Sequence, residues 1–211
     1  MKDEDEIRNT LYGIRNPQYA LSTPLLDAAL TFAACAHAVQ KRKSTDVPYI
    51  VHPVGVMLAL LESGEADPEL LAAALLHDTV EDTGVTLAQL REQFGARVAE
   101  IVEGCSEPDK RAPWEERKQH TVNYLKTAPR AIQLVSAADK LHNLRSMAAD
   151  HAELGDALWA RFKRGRTEIA WYYQAVTASL KEGELRAHPL IRELDRAVES
   201  FFSTSGADRT V

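Results

Sequence analysis

A run of five small or apolar residues, Ala72–Leu76, leads directly into His77 and Asp78. Two further carboxylates, Glu81 and Asp82, follow within one helical turn. Burying so many titratable groups beside an apolar run is costly unless something pairs with them, and a divalent cation is the simplest partner. On a helix, residues four apart share a face, which places His77 near Glu81 and Asp78 near Asp82. The segment is therefore predicted to form one wall of a metal site with acid/base groups attached.

Nearly every other segment is helical in pattern, and no stretch shows sustained strand alternation between turn signals. Helix starts are indicated by Thr23-Pro24 and by Asp67-Pro68, and a capping-box pattern precedes a further helix. Besides the helix that carries the histidine–aspartate pair, the predicted helices cover residues 23–37, 53–64, 87–94, 97–103, 114–126, 130–149, 153–181 and 188–202. We predict an all-α fold in one domain.

The chain has 211 residues, a length that suits one large domain. We predict a loosely ordered N-terminal extension (1–20), a domain (21–203) and a C-terminal tail (204–211). The net charge is −6 without a block of five like charges, which argues against a protein built to hold nucleic acid or an anionic membrane surface. The acidic start is unlike a secretory signal, and no apolar run approaches the roughly 18 residues that span a bilayer. Cys35 and Cys105 are not spaced as a metal knuckle, so we expect reduced thiols in a cytoplasmic protein.

Other ligands must complete the metal site, because one metal ion usually needs at least three protein ligands. His52 precedes a proline at the start of a helix, and Asp139 follows the apolar stretch Leu134–Ala138. Each residue also fits an ordinary structural role: His52 as a cap or a core hydrogen-bonding group, Asp139 as a cap or an ion-pair partner. Spacing alone does not join them to the histidine–aspartate pair.

Four short motifs follow one another along the chain: Arg42-Lys43, Pro48–Pro53, Leu75–Thr83 and Ala138–Arg145. In this order and spacing they resemble the hydrolase domain of the RelA/SpoT alarmone enzymes, within the HD superfamily, and most of all its stand-alone hydrolases. The resemblance spans about residues 24–180. It implies a helical HD-domain bundle.

The resemblance assigns one divalent cation, manganese in this family, to four ligands: His52, His77, Asp78 and Asp139. Such a mixed nitrogen and oxygen set does not by itself dictate the metal. A cation of this kind lowers the pKa of bound water and so provides a nucleophile near neutral pH. Glu81 and Asp82 match the family's carboxylate pair that orients the water or moves its proton. Without that context the two carboxylates would be read as a solvated helix face.

The resemblance also assigns substrate contacts. Arg42 and Lys43 would contact the guanine and phosphate end, and arginine suits both phosphate and a base. Asn143 would contact the ribose or the base. Ser146 stands where the family often has threonine, so it keeps the hydroxyl and loses a methyl group. Either tyrosine of the pair Tyr172-Tyr173 could close the pocket, or both could belong to the core.

The expected activity is metal-dependent removal of the 3′-pyrophosphate of ppGpp or pppGpp, giving GDP or GTP. The 30 residues after Lys181 are too few for the synthetase domain of bifunctional relatives, so hydrolysis alone is expected. Two alternatives stay open: a phosphohydrolase of the same fold acting on another nucleotide or a cofactor such as NADPH, and a non-catalytic alarmone-binding sensor. Arg42, Lys43 and Asn143 favour the alarmone. Loss of a metal ligand or of Glu81 or Asp82 would support the sensor, and none of them is missing. The sequence gives no oligomeric state.

Overall fold

Helices joined by short loops make up the described part of the chain, which in the computed structural model comprises residues 23–107 and 110–203. Within these residues the one β-type pairing is an isolated antiparallel bridge between Lys41 and Pro48, and no helix is both long and apolar enough to cross a membrane. The predicted all-α fold is confirmed. The helices are α1 (Thr23–Ala36), α2 (Val51–Glu62), α3 (Pro68–Leu76), α4 (Thr79–Asp82), α5 (Leu87–Phe94), α6 (Ala96–Cys105), α7 (Trp114–Leu125), α8 (Arg130–Leu154), α9 (Arg166–Lys181) and α10 (Pro189–Ser203), with 3₁₀ segments at Gly155–Arg161 and Glu184–Ala187.

Local capping signals start and stop several helices as predicted. The Asp67 carboxylate accepts a hydrogen bond from the Glu69 amide at 3.0 Å and so caps α3. Thr86 and Gln89 form a reciprocal capping box at the start of α5. Gly95 has a φ of 89°, a conformation that favours glycine, and it separates α5 from α6.

The core is built around α3 and α8. Helix α3 packs against α1, α2 and α6, and α8 packs against α2, α6, α9 and α10. Every residue from Leu70 to Leu76 is buried, as expected for a helix that is apolar on all sides. Because α3 ends inside the protein, its last turn delivers His77 and Asp78 to the interior instead of to open solvent.

The prediction of one continuous helix through His77, Asp78 and the two later carboxylates is wrong. Helix α3 ends at Leu76, and α4 begins at Thr79. Two side chains take the carbonyl groups at this end: His77 Nδ1 lies 2.8 Å from the Ala74 oxygen, and Thr79 Oγ1 donates to the Leu76 oxygen at 2.7 Å. Such side-chain bonds compete with helix continuation.

Two other boundaries also differ from the prediction. Helix α8 runs on to Leu154, and the predicted helix over 153–181 is interrupted until Arg166. The cause is Gly155, whose φ of 56° lies in the left-handed region that ends many helices. The predicted extension (1–20) and the predicted tail (204–211) lie outside the described residues.

Candidate metal centre

His77 presents one nitrogen to the interior and fixes the other to the backbone. Its ring is only 4% exposed. Nδ1 carries a proton, because it lies 2.8 Å from the Ala74 carbonyl oxygen, which can only accept. Nε2 is buried and lies 3.0 Å from the Asp78 carboxylate, without a well-directed hydrogen bond. A metal ion is a suitable partner for an imidazole nitrogen whose opposite nitrogen is already engaged.

His52 and Asp139 meet His77 at this point. His52 lies in the first turn of α2, and Asp139 lies on α8. The distance from His52 Nε2 to Asp139 Oδ1 is 3.1 Å, and that from His77 Nε2 to the same oxygen is 4.0 Å. One ligand atom from each of the three residues lies within 4.8 Å of the other two. Two imidazole nitrogens and a carboxylate oxygen in this space could hold a divalent metal ion, and they come from three separate segments.

Asp78 lies at the edge of this group. Its Oδ2 is 3.0 Å from His77 Nε2 and 3.4 Å from His52 Nε2. The same oxygen accepts a hydrogen bond from the Tyr49 hydroxyl at 2.6 Å. Burial and the Asp78 charge raise the pKa of Tyr49, so the phenol keeps its proton and remains a donor. The predicted role of Asp78 as a fourth ligand stays a prediction.

Oppositely charged groups in the site shift one another's pKa values. Burial alone would raise the pKa of Asp139, but the adjacent Lys140 ammonium and the two imidazoles hold it well below its usual range. The Asp78 carboxyl behaves likewise, with His77 as the main opposing influence. Burial acts to lower the pKa of His77, yet the neighbouring Asp78 and Asp139 raise it to about 9. Both carboxylates are therefore ionised, and a cation that binds His77 must displace a proton.

Two further contacts hold Asp139 in place. Lys140 Nζ donates to Oδ2 at 2.5 Å, and Asn143 Nδ2 donates to Oδ1 at 2.5 Å. The amide oxygen of Asn143 in turn accepts a hydrogen bond from Arg42 at 2.8 Å. Asn143 and Arg42, both predicted to contact substrate, therefore also form a chain that ends on a carboxylate of the metal centre.

Glu81 and Asp82 face the same cavity as the metal centre. The backbone N–H of Glu107 donates to Glu81 Oε2 at 3.2 Å. Lys110 Nζ lies 3.4 Å from an oxygen of each carboxylate. Gln40 Nε2 donates to Asp82 at 3.0 Å. The short helix α4 thus places both predicted acid/base groups beside the cation-binding atoms.

Two cavities adjoin each other, and the first of them contains the residues of the metal centre. The first, of about 410 Å³, contains the clustered histidines and aspartates, the two α4 carboxylates, and the ammonium groups of Lys118 and Lys140. The second, of about 520 Å³, lies against Arg42 and Lys43 and is more apolar. Tyr49 and Asn143 line both. A ligand placed across this boundary would have one part at the metal and another part in the second cavity.

The remaining predicted substrate residues line the second cavity. The Lys43 ammonium lies 4.9 Å from the centre of the Phe162 ring. The Ser146 hydroxyl donates to the His142 carbonyl oxygen at 3.1 Å, as helical serines often do. Of the two tyrosines left open by the sequence, Tyr172 lines the first cavity and Tyr173 the second, and both are largely buried.

Sequence reasoning missed two residues of the site, Tyr49 and His142. His142 Nδ1 lies 2.9 Å from His52 Nδ1. Burial and the nearby His52 and Arg42 charges lower the pKa of His142 to about 4. Consecutive helical residues point about 100° apart, so His142 and Asn143 on α8 cannot face the same ligand. This angle was the signal in the sequence that His142 could reach a different ligand, His52, from the Asp139 that Asn143 contacts.

The fold and the site together define a class, that of all-helical domains with a metal centre built from histidines and aspartates of separate segments. The chain belongs to the HD domain family, whose model matches residues 29–170.

Several relatives of this chain carry a functional name. The guanosine-3′,5′-bis(diphosphate) 3′-pyrophosphohydrolase MESH1 of Danio rerio is 44% identical over 128 residues, which cover 60% of this chain and 71% of that protein. The protein of the same name from Homo sapiens is 46% identical over 125 residues, covering 58% of this chain and 69% of that protein. Among solved structures, a metazoan orthologue of SpoT described as hydrolysing ppGpp matches with a TM-score of 0.72 and 27% identity, over 84% of this chain and 95% of that chain.

Proposed function

We propose that this protein is a metal-dependent hydrolase that removes the 3′-pyrophosphate of ppGpp or pppGpp, giving GDP or GTP. The observation that carries the proposal is that the cavity with the metal centre adjoins, at Tyr49 and Asn143, a second and more apolar cavity. A guanosine polyphosphate has the matching parts: a nucleoside, and a diphosphate attached to its 3′ oxygen. The names of the Danio rerio and Homo sapiens relatives give the same activity.

His52, His77 and Asp139 would hold the cation, with Asp78 as the fourth ligand. When bound, the cation would polarise a phosphoryl oxygen and make water a usable nucleophile near neutral pH. Manganese is the proposed metal, because a mixed imidazole and carboxylate set accepts it, with availability deciding among similar ions.

Glu81 and Asp82 would handle the proton of the attacking water. They lie in the metal cavity, and Lys110 and Gln40 hold their carboxylates. In the reaction the water oxygen bonds to phosphorus, the bond from phosphorus to the ribose 3′ oxygen breaks, and that oxygen receives a proton. General acid–base assistance of this kind contributes about 10²- to 10⁴-fold.

Substrate would be oriented from the second cavity. Arg42 and Lys43 offer positive charge there, and Asn143 stands at the boundary with the metal cavity. Lys118 and Lys140 offer ammonium groups on the metal side. Cations in both cavities suit a substrate that carries a diphosphate on the 5′ oxygen and another on the 3′ oxygen of its ribose.

The test is to incubate the purified protein and Mn²⁺ with either ppGpp or NADPH and to measure released pyrophosphate and phosphate. We expect pyrophosphate from ppGpp, lost in Asp139→Asn and with chelator but kept in Glu92→Gln, which changes an exposed carboxylate on α5. If the protein releases phosphate from NADPH and nothing from ppGpp, its substrate is a phosphorylated cofactor instead of ppGpp. Tight ppGpp binding without turnover would indicate a sensor.

A further inference from the structure

His142 contacts His52 on the side of the ring that faces away from the metal centre. The two Nδ1 atoms are 2.9 Å apart, and the ring centroids are 4.9 Å apart. An imidazole nitrogen can either donate or accept a hydrogen bond, so one of these two nitrogens carries the hydrogen and the other accepts it. The position of this one hydrogen decides what the opposite side of the His52 ring can do.

If the hydrogen lies on His142, a neutral His52 must carry its own proton on Nε2, the nitrogen that faces Asp139 at 3.1 Å. A protonated Nε2 cannot bind a cation. If the hydrogen lies on Nδ1 of a neutral His52 ring, then Nε2 has a free lone pair directed at the metal centre, and a cation can take the place of any proton between Nε2 and Asp139. Metal-binding histidines usually donate their second N–H to an acceptor, which fixes both the tautomer and the ring orientation.

Gly55 provides the space for this contact. It lies on α2 one turn after His52, and a Cβ atom placed there would come within 2.1 Å of His142 Cδ2 and 2.2 Å of Nε2. No side chain fits between the α2 backbone and the His142 ring. A glycine inside a helix is destabilising relative to alanine, so α2 carries a destabilising residue at the place where it lets His142 approach.

We propose that His142, admitted by Gly55, is a positioning residue that accepts the Nδ1 hydrogen of His52 and so keeps Nε2 of His52 available to the metal ion. This deepens the proposed metal-dependent function, on which it rests. Helix α8 would then have three roles at the metal centre. Asp139 would bind the metal ion, Asn143 orients Asp139, and His142 would orient His52 on α2.

The test measures Mn²⁺ affinity by calorimetry for the wild type and for His142→Ala, His142→Asn and Gly55→Ala. We expect about 10- to 100-fold weaker binding in His142→Ala, the range typical of lost outer-sphere partners. His142→Asn should restore most of the affinity, because its amide oxygen can stand near the position of Nδ1 and accept the same hydrogen. Gly55→Ala should weaken binding although alanine favours the helix. His151→Ala, which changes a histidine further along α8, is the matched control and should bind as the wild type does.

A second readout reports the tautomers directly. In the Zn²⁺-loaded protein, ¹⁵N spectra of the imidazoles should show His52 protonated on Nδ1 and His142 protonated on Nε2. A His142 protonated on Nδ1, or an unchanged Mn²⁺ affinity in His142→Ala, would overturn the proposal, as would a wild type that binds no divalent ion. If His142 served packing alone, the melting temperature of the metal-free protein would fall equally in His142→Ala and His142→Asn. His142→Asn would then not restore the Mn²⁺ affinity.

The two proposals fail in different ways. A wild type that binds Mn²⁺ but leaves ppGpp intact contradicts the proposed substrate, and the affinities of the variants still judge the role of His142. A wild type that hydrolyses ppGpp while His142→Ala keeps full Mn²⁺ affinity contradicts only the role of His142.

Discussion

Tyr49 controls the direction of one carboxylate at the metal centre. Its hydroxyl donates to Asp78 Oδ2 at 2.6 Å. Tyr49→Phe removes this donor and leaves the ring, so Asp78 should lose its orientation while the fold is kept. We expect Mn²⁺ affinity and kcat to fall by about 10- to 100-fold, the usual effect of losing an outer-sphere hydrogen bond. Ser63→Ala, which removes a hydroxyl that bonds the Leu60 carbonyl at the end of α2, serves as control, and equal effects in both variants would argue against a specific role of Tyr49.

Glu81 and Asp82 should separate catalysis from metal binding. If they handle protons, Glu81→Gln and Asp82→Asn lower kcat by about 10²- to 10⁴-fold. Mn²⁺ affinity, measured by calorimetry, should stay near that of the wild type because neither residue belongs to the three-residue metal cluster. A loss of affinity as large as the loss of kcat would instead place these carboxylates among the ligands.

The sequence predicted the polar residues that form the site more readily than the contacts between them. The apolar run before His77 and Asp78 indicates a buried titratable pair that needs a partner, whereas Asp139 joins the predicted site only through the family resemblance. The bond from Tyr49 to Asp78 joins residues 29 positions apart, and that from His142 to His52 joins residues 90 apart. Both depend on how α2 packs against α3 and α8, and helical periodicity carries no information on that packing.

At the scale of helices, Glu65 joins three elements. It follows α2, pairs with Arg130 at the start of α8 (2.5 Å), and contacts His188 just before α10 (2.8 Å). The hydrogen bond from Arg130 lowers the pKa of Glu65 against the opposing effect of burial. A lowered pKa means that the pair stabilises the fold above the ordinary pKa of a glutamate, and that this stability is lost as the pH falls through the lowered value.

Glu65→Gln should therefore lower the free energy of unfolding at pH 7 by on the order of 1–3 kcal/mol, the range for hydrogen bonds to a charged group. Urea unfolding at pH 7 and at pH 3 gives the measurement, and the difference from the wild type should shrink at pH 3, because stability from a lowered pKa declines once the pH is below the ordinary pKa of a glutamate. Glu62→Gln on the same helix end is the control, since Glu62 is exposed and its pair with Arg145 is long, at 3.4 Å. An equal loss at both pH values would exclude the charge as the cause.

Helix boundaries were predictable where one residue decides them and not where tertiary contacts do. Asp67 and Gly95 act through their own side chain or φ angle, and both ended or began helices as predicted. The interruption after Leu76 depends on hydrogen bonds from His77 and Thr79 to carbonyl groups at the end of α3. No glycine or proline stands between Leu76 and Thr83, so the sequence pattern alone favoured an unbroken helix.

For the molecule as a whole, the fold brings ligands together from segments that are far apart in the chain. His52, His77 and Asp139 come from α2, the end of α3 and α8, which pack against one another in pairs. A bound cation would thus connect three core elements, and binding to the folded state alone adds stability by mass action. The same three residues are unconnected in the unfolded chain, so metal affinity and folding stability should change together.

This coupling predicts opposite effects of pH on the metal-free and metal-loaded protein. In the metal-free protein the pKa of His77 is raised to about 9, so its charged contacts stabilise the fold at low pH and are lost as the pH rises toward that value. Metal binding requires a deprotonated ring, so Mn²⁺ affinity should rise with pH over the same interval, by up to about tenfold per pH unit. At a free Mn²⁺ concentration 100 times Kd, the added stability is about 2.7 kcal/mol. Melting temperatures at pH 6.5, 7.5 and 8.5, with Mn²⁺ and with chelator, should diverge as the pH rises. A constant difference across these pH values would mean that no proton leaves His77 when the metal binds.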